Sequence, residues 1–159
     1  KNEKAYKDGT GRIRKSWDSA EPFGSENRNI WEVGMTYTFS PQWLMNVAYA
    51  KSNGDWETKY KQAYTVELAY NGGIYPDMKP GNFGAFLAYR HLGRGAVIGP
   101  TYNEVYYNYN GSQKGWNIGG AYVFAKNIMG TVQYWRGMDI EEAGDTDMST
   151  LYTTLQFFF

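Results

Sequence analysis

The last nine residues, Leu151 to Phe159, alternate strictly. Leu151, Thr153, Leu155, Phe157 and Phe159 fall on one side of an extended chain, and Tyr152, Thr154 and Gln156 fall on the other. Successive side chains of a strand point to opposite faces, so the stretch is a strand with one mostly apolar face that stops on an aromatic. That is the pattern of the closing strand of a membrane-spanning β-barrel. Soluble sandwiches also contain half-apolar strands. Length and recurrence separate the two cases, because a tilted strand needs about 9–11 residues to cross a bilayer against about 5–6 in soluble sheets.

The pattern recurs along the chain. Trp31, Val33, Met35, Tyr37 and Phe39 form one stripe; after a turn at Ser40-Pro41-Gln42 it resumes as Trp43, Met45, Val47 and Tyr49. Tyr64, Val66, Leu68 and Tyr70 make a third segment, and Phe83, Ala85, Leu87 and Tyr89 a fourth. Trp116, Ile118, Gly120, Tyr122 and Phe124 lead through Ala125-Lys126-Asn127 into Ile128, Gly130, Val132 and Tyr134. With the terminal segment this predicts seven crossings. Trp31 echoes Trp116, Tyr37 echoes Tyr122, Val47 echoes Val132 and Lys51 echoes Arg136 at one constant spacing, which argues for repeated hairpins. Tyr and Trp gather at the segment ends and aliphatic residues nearer the middle, as where aromatic rings lie at the headgroup level of a membrane.

Connection lengths agree. Outer-membrane barrels alternate short periplasmic turns with longer external loops. Counting back from a last strand that descends to the periplasm, residues 138–149, 93–114 and 53–59 are expected outside, and 125–127, 72–82 and 40–42 in the periplasm. The parity holds if Glu104 to Asn110, which also alternates, is a strand extension above the membrane. The connection 72–82, with Pro76 and Pro80, is long for a periplasmic turn.

Composition excludes several classes. The chain is 42% hydrophobic and 18% aromatic, with 19 Gly and 5 Pro. It has no run near the ~18–20 apolar residues that a transmembrane helix needs. Sixteen basic and sixteen acidic residues cancel, so there is no nucleic-acid footprint. There are no cysteines to form disulfides or thiolate metal sites. No signal peptide stands at Lys1.

Seven crossings is an odd number, and single-chain bacterial barrels are nearly always even. Residues 1–28 carry Lys1, Lys4, Lys7, Asp8, Arg12, Arg14, Lys15, Asp18 and Glu21, too charged for a lipid-facing strand. They are expected to form an external loop, with a strand stub at Thr10 to Trp17. The expected fold is thus all-β, a transmembrane antiparallel up-and-down β-barrel. Seven or eight of its strands lie in residues 29–159, as the C-terminal half of a barrel of about sixteen, the size at which a water-filled lumen opens.

Four stretches carry a family resemblance: Ala63-Tyr64-Thr65-Val66-Glu67-Leu68, Ala88-Tyr89-Arg90-His91-Leu92-Gly93, Lys114-Gly115-Trp116 and Tyr122-Val123-Phe124-Ala125-Lys126-Asn127. They resemble the porin part of OmpM-like proteins, the S-layer-homology porins of diderm Firmicutes, over most of residues 29–159. The resemblance implies a trimeric diffusion channel in the outer membrane. It also implies a tether to cell-wall polymer through N-terminal S-layer-homology and coiled-coil segments, neither of which lies within these residues. Leu155, Phe157 and Phe159 would be the signal read by the barrel-assembly machinery.

Function is expected on the face away from lipid. Alternation lines it with Glu32, Thr36, Thr38, Asn46, Thr65, Glu67, Arg90, Asn117, Thr131, Gln133, Thr154 and Gln156. Small polar groups with a few charges of both signs hydrate passing solutes without tight binding, which suits a general diffusion channel for small hydrophilic solutes and ions. Glu67 and Arg90, on neighbouring strands, are selectivity candidates or a pair that braces the wall. No enzyme, metal or cofactor is expected. The single histidine, His91, has no serine within reach on a nameable neighbouring strand. The acidic loop Asp139, Glu141, Glu142, Asp145 and Asp147 lacks the spacing of a calcium loop. Gly9-Thr10-Gly11 lacks the third glycine and the helix of a phosphate loop. Tyr102, Tyr106, Tyr107 and Tyr109 suit loop packing more than sugar stacking. Two alternatives stay open: a small closed barrel serving as membrane anchor or adhesin, which needs one hidden strand, and a soluble ligand-binding barrel, which needs a capped or aromatic-filled interior.

Overall fold

The computed structural model describes residues 5–7, 13–15, 29–53, 58–97, 112–140 and 147–159. Two short strands, β1 (Ala5–Lys7) and β2 (Ile13–Lys15), pair with each other in a sheet of their own. The main body is a seven-stranded antiparallel sheet: β3 (Ile30–Thr38), β4 (Trp43–Ser52), β5 (Gln62–Tyr70), β6 (Phe83–Leu92), β7 (Gln113–Ala125), β8 (Ile128–Asp139) and β9 (Asp147–Phe157). Spatial order follows chain order, so this is an up-and-down meander. Among the described residues the sheet does not close, and β3 and β9 are its edges. A single helical turn, α1 (Thr58–Lys61), leads into β5.

All seven expected crossings are strands, each 9 to 13 residues long, the bilayer-crossing range rather than the soluble one. Some run further than the alternation of large residues suggested. β7 begins at Gln113, β8 continues to Asp139 and β9 begins at Asp147, so the connections there are shorter. The echoed hairpins share one register: Trp31 faces Lys51 and Tyr37 faces Met45, while Trp116 faces Arg136 and Tyr122 faces Gly130. Tight reversal after β7 is made at Asn127, whose φ of 64° is left-handed. A bulge lies between Val123 and Ala125.

The two faces are inverted relative to a soluble sheet. Along β6 to β8 the outward side chains Phe83, Leu87, Trp116, Ile118, Tyr122, Phe124, Val132 and Tyr134 are exposed, while Phe86, Ala88, Asn117, Ala121, Val123, Gln133 and Trp135 on the inward face are buried. The exposed face carries two aromatic rows. At the end with longer loops, Trp31 and Tyr49 lie 5.4 Å apart and Tyr89 and Trp116 5.2 Å apart. At the short-turn end, Trp43 and Tyr70 lie 5.0 Å apart and Tyr122 and Phe124 5.1 Å apart. Val33, Met35, Val47, Val66, Leu68, Leu87, Ile118 and Val132 fill the band between. An apolar belt with an aromatic girdle at each side is what the hydrocarbon slab and its two interfaces select.

Two segments fold back over the inward face. At the loop end, Gly93 and Gly95 donate to the carbonyls of Gln62 and Tyr60, and Ala96 packs on Ala50 and Ala63. At the short-turn end, the connection 71–82 turns inward, with Ile74, like Leu44, packed against the cluster Ala69, Phe86 and Ala88. The inner wall is therefore less polar than a scan for Thr, Asn and Gln implied. Phe86, Trp135 and Tyr152 also lie on it, Trp135 with no exposed surface and packed by Leu92, Met148 and Tyr152.

Candidate functional site

Cross-strand register assembles the inward side chains into transverse rows. One row runs Thr36, Asn46, Glu67, Ala88, Asn117, Trp135, Thr150 through directly opposed partners on all seven strands. Its first half is a hydrogen-bonded ladder. Thr36 Oγ1 donates to Asn46 Oδ1 at 2.8 Å, Asn46 Nδ2 donates to Glu67 Oε1 at 3.2 Å, and Arg90 donates to Glu67 Oε2 at 2.6 Å. Arg90 comes in diagonally from the row above, where it faces Thr65. Both members of the ion pair keep 21% of their side-chain surface accessible, so the pair is neither dry nor fully solvated. Glu67 spends one oxygen on each neighbour, which holds both charges against the wall at a defined height.

Beyond the ladder, the polar atoms facing inward are less complete. Arg90 Nε, Thr65 Oγ1, Asn117 Oδ1 and Thr150 Oγ1 are buried without a protein partner. Buried polar groups are otherwise almost always bonded, and on the concave side of a sheet water is their natural partner. Lower on the same face, the Thr131 and Thr154 hydroxyls share a hydrogen bond of 2.5 Å across β8 and β9.

The twelve residues read from alternation divide by height. Glu32 lies nearest the loop end, Thr65 and Arg90 follow, and Thr36, Asn46, Glu67 and Asn117 share the middle row. Thr38 and Gln133 belong to the next row, with Leu44, Ala69, Phe86, Gly119 and Tyr152. Thr131 and Thr154 are one step further, and Gln156 faces Met129 at the short-turn end. Only Thr36, Asn46, Glu67 and Arg90 are brought into one bonded network, with Thr131 and Thr154 as a separate pair. Phe86 and Trp135 were missed although the two-residue period places them inward. A search for polar residues passes over them.

His91 is not a surface residue. It is 8% exposed, its ring stacks on Tyr64 at 4.9 Å with planes 3° apart, and Nε2 lies 2.8 Å from the Lys59 carbonyl oxygen. A carbonyl accepts, so Nε2 donates, and the ring fastens α1 to the rim of β5 and β6. No group of three or more potential metal-ligating side chains occurs among the described residues. Glu141, Glu142, Asp145, Gly9, Gly11, Tyr102, Tyr106, Tyr107, Tyr109 and the stretch Glu104 to Asn110 lie outside the described residues. Leu155, Phe157 and Phe159 at the C-terminus are exposed, and the backbone there is held by Phe158 N donating to the Asn127 carbonyl.

No curated protein matches the sequence. A family model described as "Putative porin" matches residues 16–151, most of the chain.

Proposed function

The chain belongs to this porin family, and from that premise we propose that it builds one part of the wall of a general diffusion channel for small hydrophilic solutes and ions in the outer membrane of a diderm bacterium. The observation that carries the reading is the inverted sheet. A continuous exposed belt of Val, Leu, Ile, Met and aromatic residues stands on one face, and a bonded polar row with an ion pair stands on the other. Such an outward belt suits lipid and argues against a soluble ligand-binding barrel.

In this reading the twelve polar positions from Glu32 to Gln156 line the lumen, and residues 1–28 lie outside. The seven-stranded sheet is then about half of a barrel of about sixteen strands. The quoted stretches support an OmpM-like porin, with a homotrimer as the working assembly. Cell-wall tethering would be carried by segments of a fuller chain. The exposed terminal Leu155, Phe157 and Phe159 are the handle for barrel assembly. The work is passive, so no residue is assigned catalysis.

A second reading, a sealed barrel acting as anchor or adhesin, draws support from Phe86, Trp135 and the inward-turned connection, all of which fill interior space. One measurement separates the two. The detergent-extracted native assembly is added to a planar lipid bilayer. Open-channel steps that close in thirds at high voltage are expected for a trimeric channel. Incorporation without steps sinks the channel and leaves the sealed barrel.

A further inference from the structure

On the reading of an open channel, we propose that the connection 71–82 is a built constriction that narrows the lumen from the periplasmic side with an uncharged rim. Its length is the first sign. The other two connections at the short-turn end, 39–42 and 126–127, only reverse the chain, whereas this one spans twelve residues from Asn71 to Asn82.

Its conformation is fixed at both ends. Asn71, Gly72 and Gly73 take consecutive left-handed φ values of 46°, 81° and 66°, which swing the chain inward off β5. Asn71 N donates to the Gln42 carbonyl at 2.8 Å. At the far end Gly81 N donates to the Val123 carbonyl at 2.8 Å, and Val123 N to the Asn82 carbonyl at 2.9 Å. Between these ties, Tyr75 N donates to the Gly72 carbonyl at 3.0 Å and Asn82 Nδ2 to the Asp77 carbonyl at 3.2 Å. Gly73 and Pro76 are buried.

The wall carries a seat for it. A Cβ at Gly84, on the inward face of β6, would strike the backbone carbonyls of Gly73 and Asn71, so only glycine at this strand position lets the connection lie flat against the sheet. From that seat Ile74 packs on the cluster of Ala69, Phe86 and Ala88, on the rows at and just below the Thr36–Asn46–Glu67 ladder. Ile74 and Tyr75 then face Thr131, Gln133, Tyr152, Thr154 and Gln156 across a niche of about 100 Å³. The connection leaves β5 and reaches β8 and β9, a span of three to four strand spacings, or about 14–19 Å along the wall.

The chemistry of that rim differs from the wall above it. The ladder holds a carboxylate and a guanidinium; the niche has hydroxyls, amides, two phenols and an isoleucine. A passing solute therefore meets charge first and an uncharged hydrogen-bonding aperture second. The aperture discriminates by size and by capacity to hydrogen-bond, and favours neutral hydroxylated solutes over ions of similar radius. Asp77 and Lys79 sit further along the connection and are exposed.

The test uses the absence of cysteine in the chain. Tyr75, which is 76% exposed, is replaced in the full assembly, Y75C, with E67C as a second lumen probe and V66C as a lipid-facing control. Single-channel steps are recorded before and after a bulky charged thiosulfonate. Modification of Y75C is expected to cut the step about twofold, with V66C unchanged. Replacing residues 72–81 with a two-residue turn is expected to enlarge the step and to speed entry of neutral sugars into liposomes. If E67C responds and Y75C does not, the channel stands and the constriction is overturned. If no variant and no parent assembly gives steps, the channel reading itself fails and the constriction with it.

Discussion

The hairpin β3–β4 and the hairpin β7–β8 share one register, and their outward faces coincide at most positions, the exceptions being Met35, Trp43 and Met45 against Gly120, Ile128 and Gly130. Trp31, Tyr37, Phe39 and Val47 recur as Trp116, Tyr122, Phe124 and Val132, with Val33 for Ile118 and Tyr49 for Tyr134. Their inward faces do not coincide. Glu32, Thr36, Thr38, Asn46 and Ala50 in the first stand where Asn117, Ala121, Val123, Thr131 and Trp135 stand in the second. Glu32, Thr36 and Thr38 are exposed on the edge strand, whereas Asn117, Ala121, Val123 and Trp135 are buried. The difference shows which side of the sheet each selective pressure acts on. Lipid is the same everywhere around a barrel, so it favours a shared pattern on outward faces, while each inward face answers to whatever lies over it.

The largest test of that contrast is Trp135→Ala. Emptying a fully buried ring site is expected to cost about 3–5 kcal/mol, whereas Thr36→Ala on the inward face of β3 removes one hydrogen bond and is expected to cost about 1 kcal/mol. Denaturant titration of both variants refolded into lipid vesicles measures the gap, and equal costs would break the contrast. Next comes the outward face. Val47→Arg and Val132→Arg occupy equivalent mid-belt positions and are each expected to destabilise by about 2–4 kcal/mol in the same assay. A large difference between them would mean that one of the two faces does not meet lipid. A smaller effect than at the belt is expected at the ion pair of the ladder. Glu67→Gln leaves Arg90 without its counter-charge and should cost about 1–2 kcal/mol. It should also move the reversal potential in a salt gradient towards anion preference, and Arg90→Gln should move it the other way. A pair that only braces the wall would lose stability in both variants with no change in reversal potential.

Much of the fold was legible because the two-residue period is a local signal. Phe83 to Leu92 or Trp116 to Phe124 reads as a strand without knowledge of anything else, and Ser40-Pro41-Gln42 or Lys126-Asn127 reads as a turn. The assignment of side chains to the two faces was legible to the same extent, since it needs only parity. Contacts that join distant parts of the chain were not. Gly84 looks like any strand glycine until Gly73 is seen lying on it, and the reach of Tyr75 towards Gln133 and Tyr152 depends on how the two or three intervening strands curve. His91 reads as a rim residue until α1 brings the Lys59 carbonyl to it. Phe86 and Trp135 were accessible to parity, but the assumption of a polar lumen hid them.

Because each strand bonds only to its neighbours in sequence, assembly of the sheet can proceed as a zipper. Most of its ring closures are short: the turn after β3 or β7 brings the next strand alongside at the entropic cost of a few residues. Such local pairing favours fast formation of each hairpin. The exception lies at the edges of the sheet, which among the described residues are β3 and β9. A barrel closes only when an edge strand meets a partner that is not its neighbour in sequence, and unpaired backbone groups cannot be left in hydrocarbon. The slow step in forming a closed barrel should therefore be the seam, and local hairpins such as those of this sheet can form ahead of it.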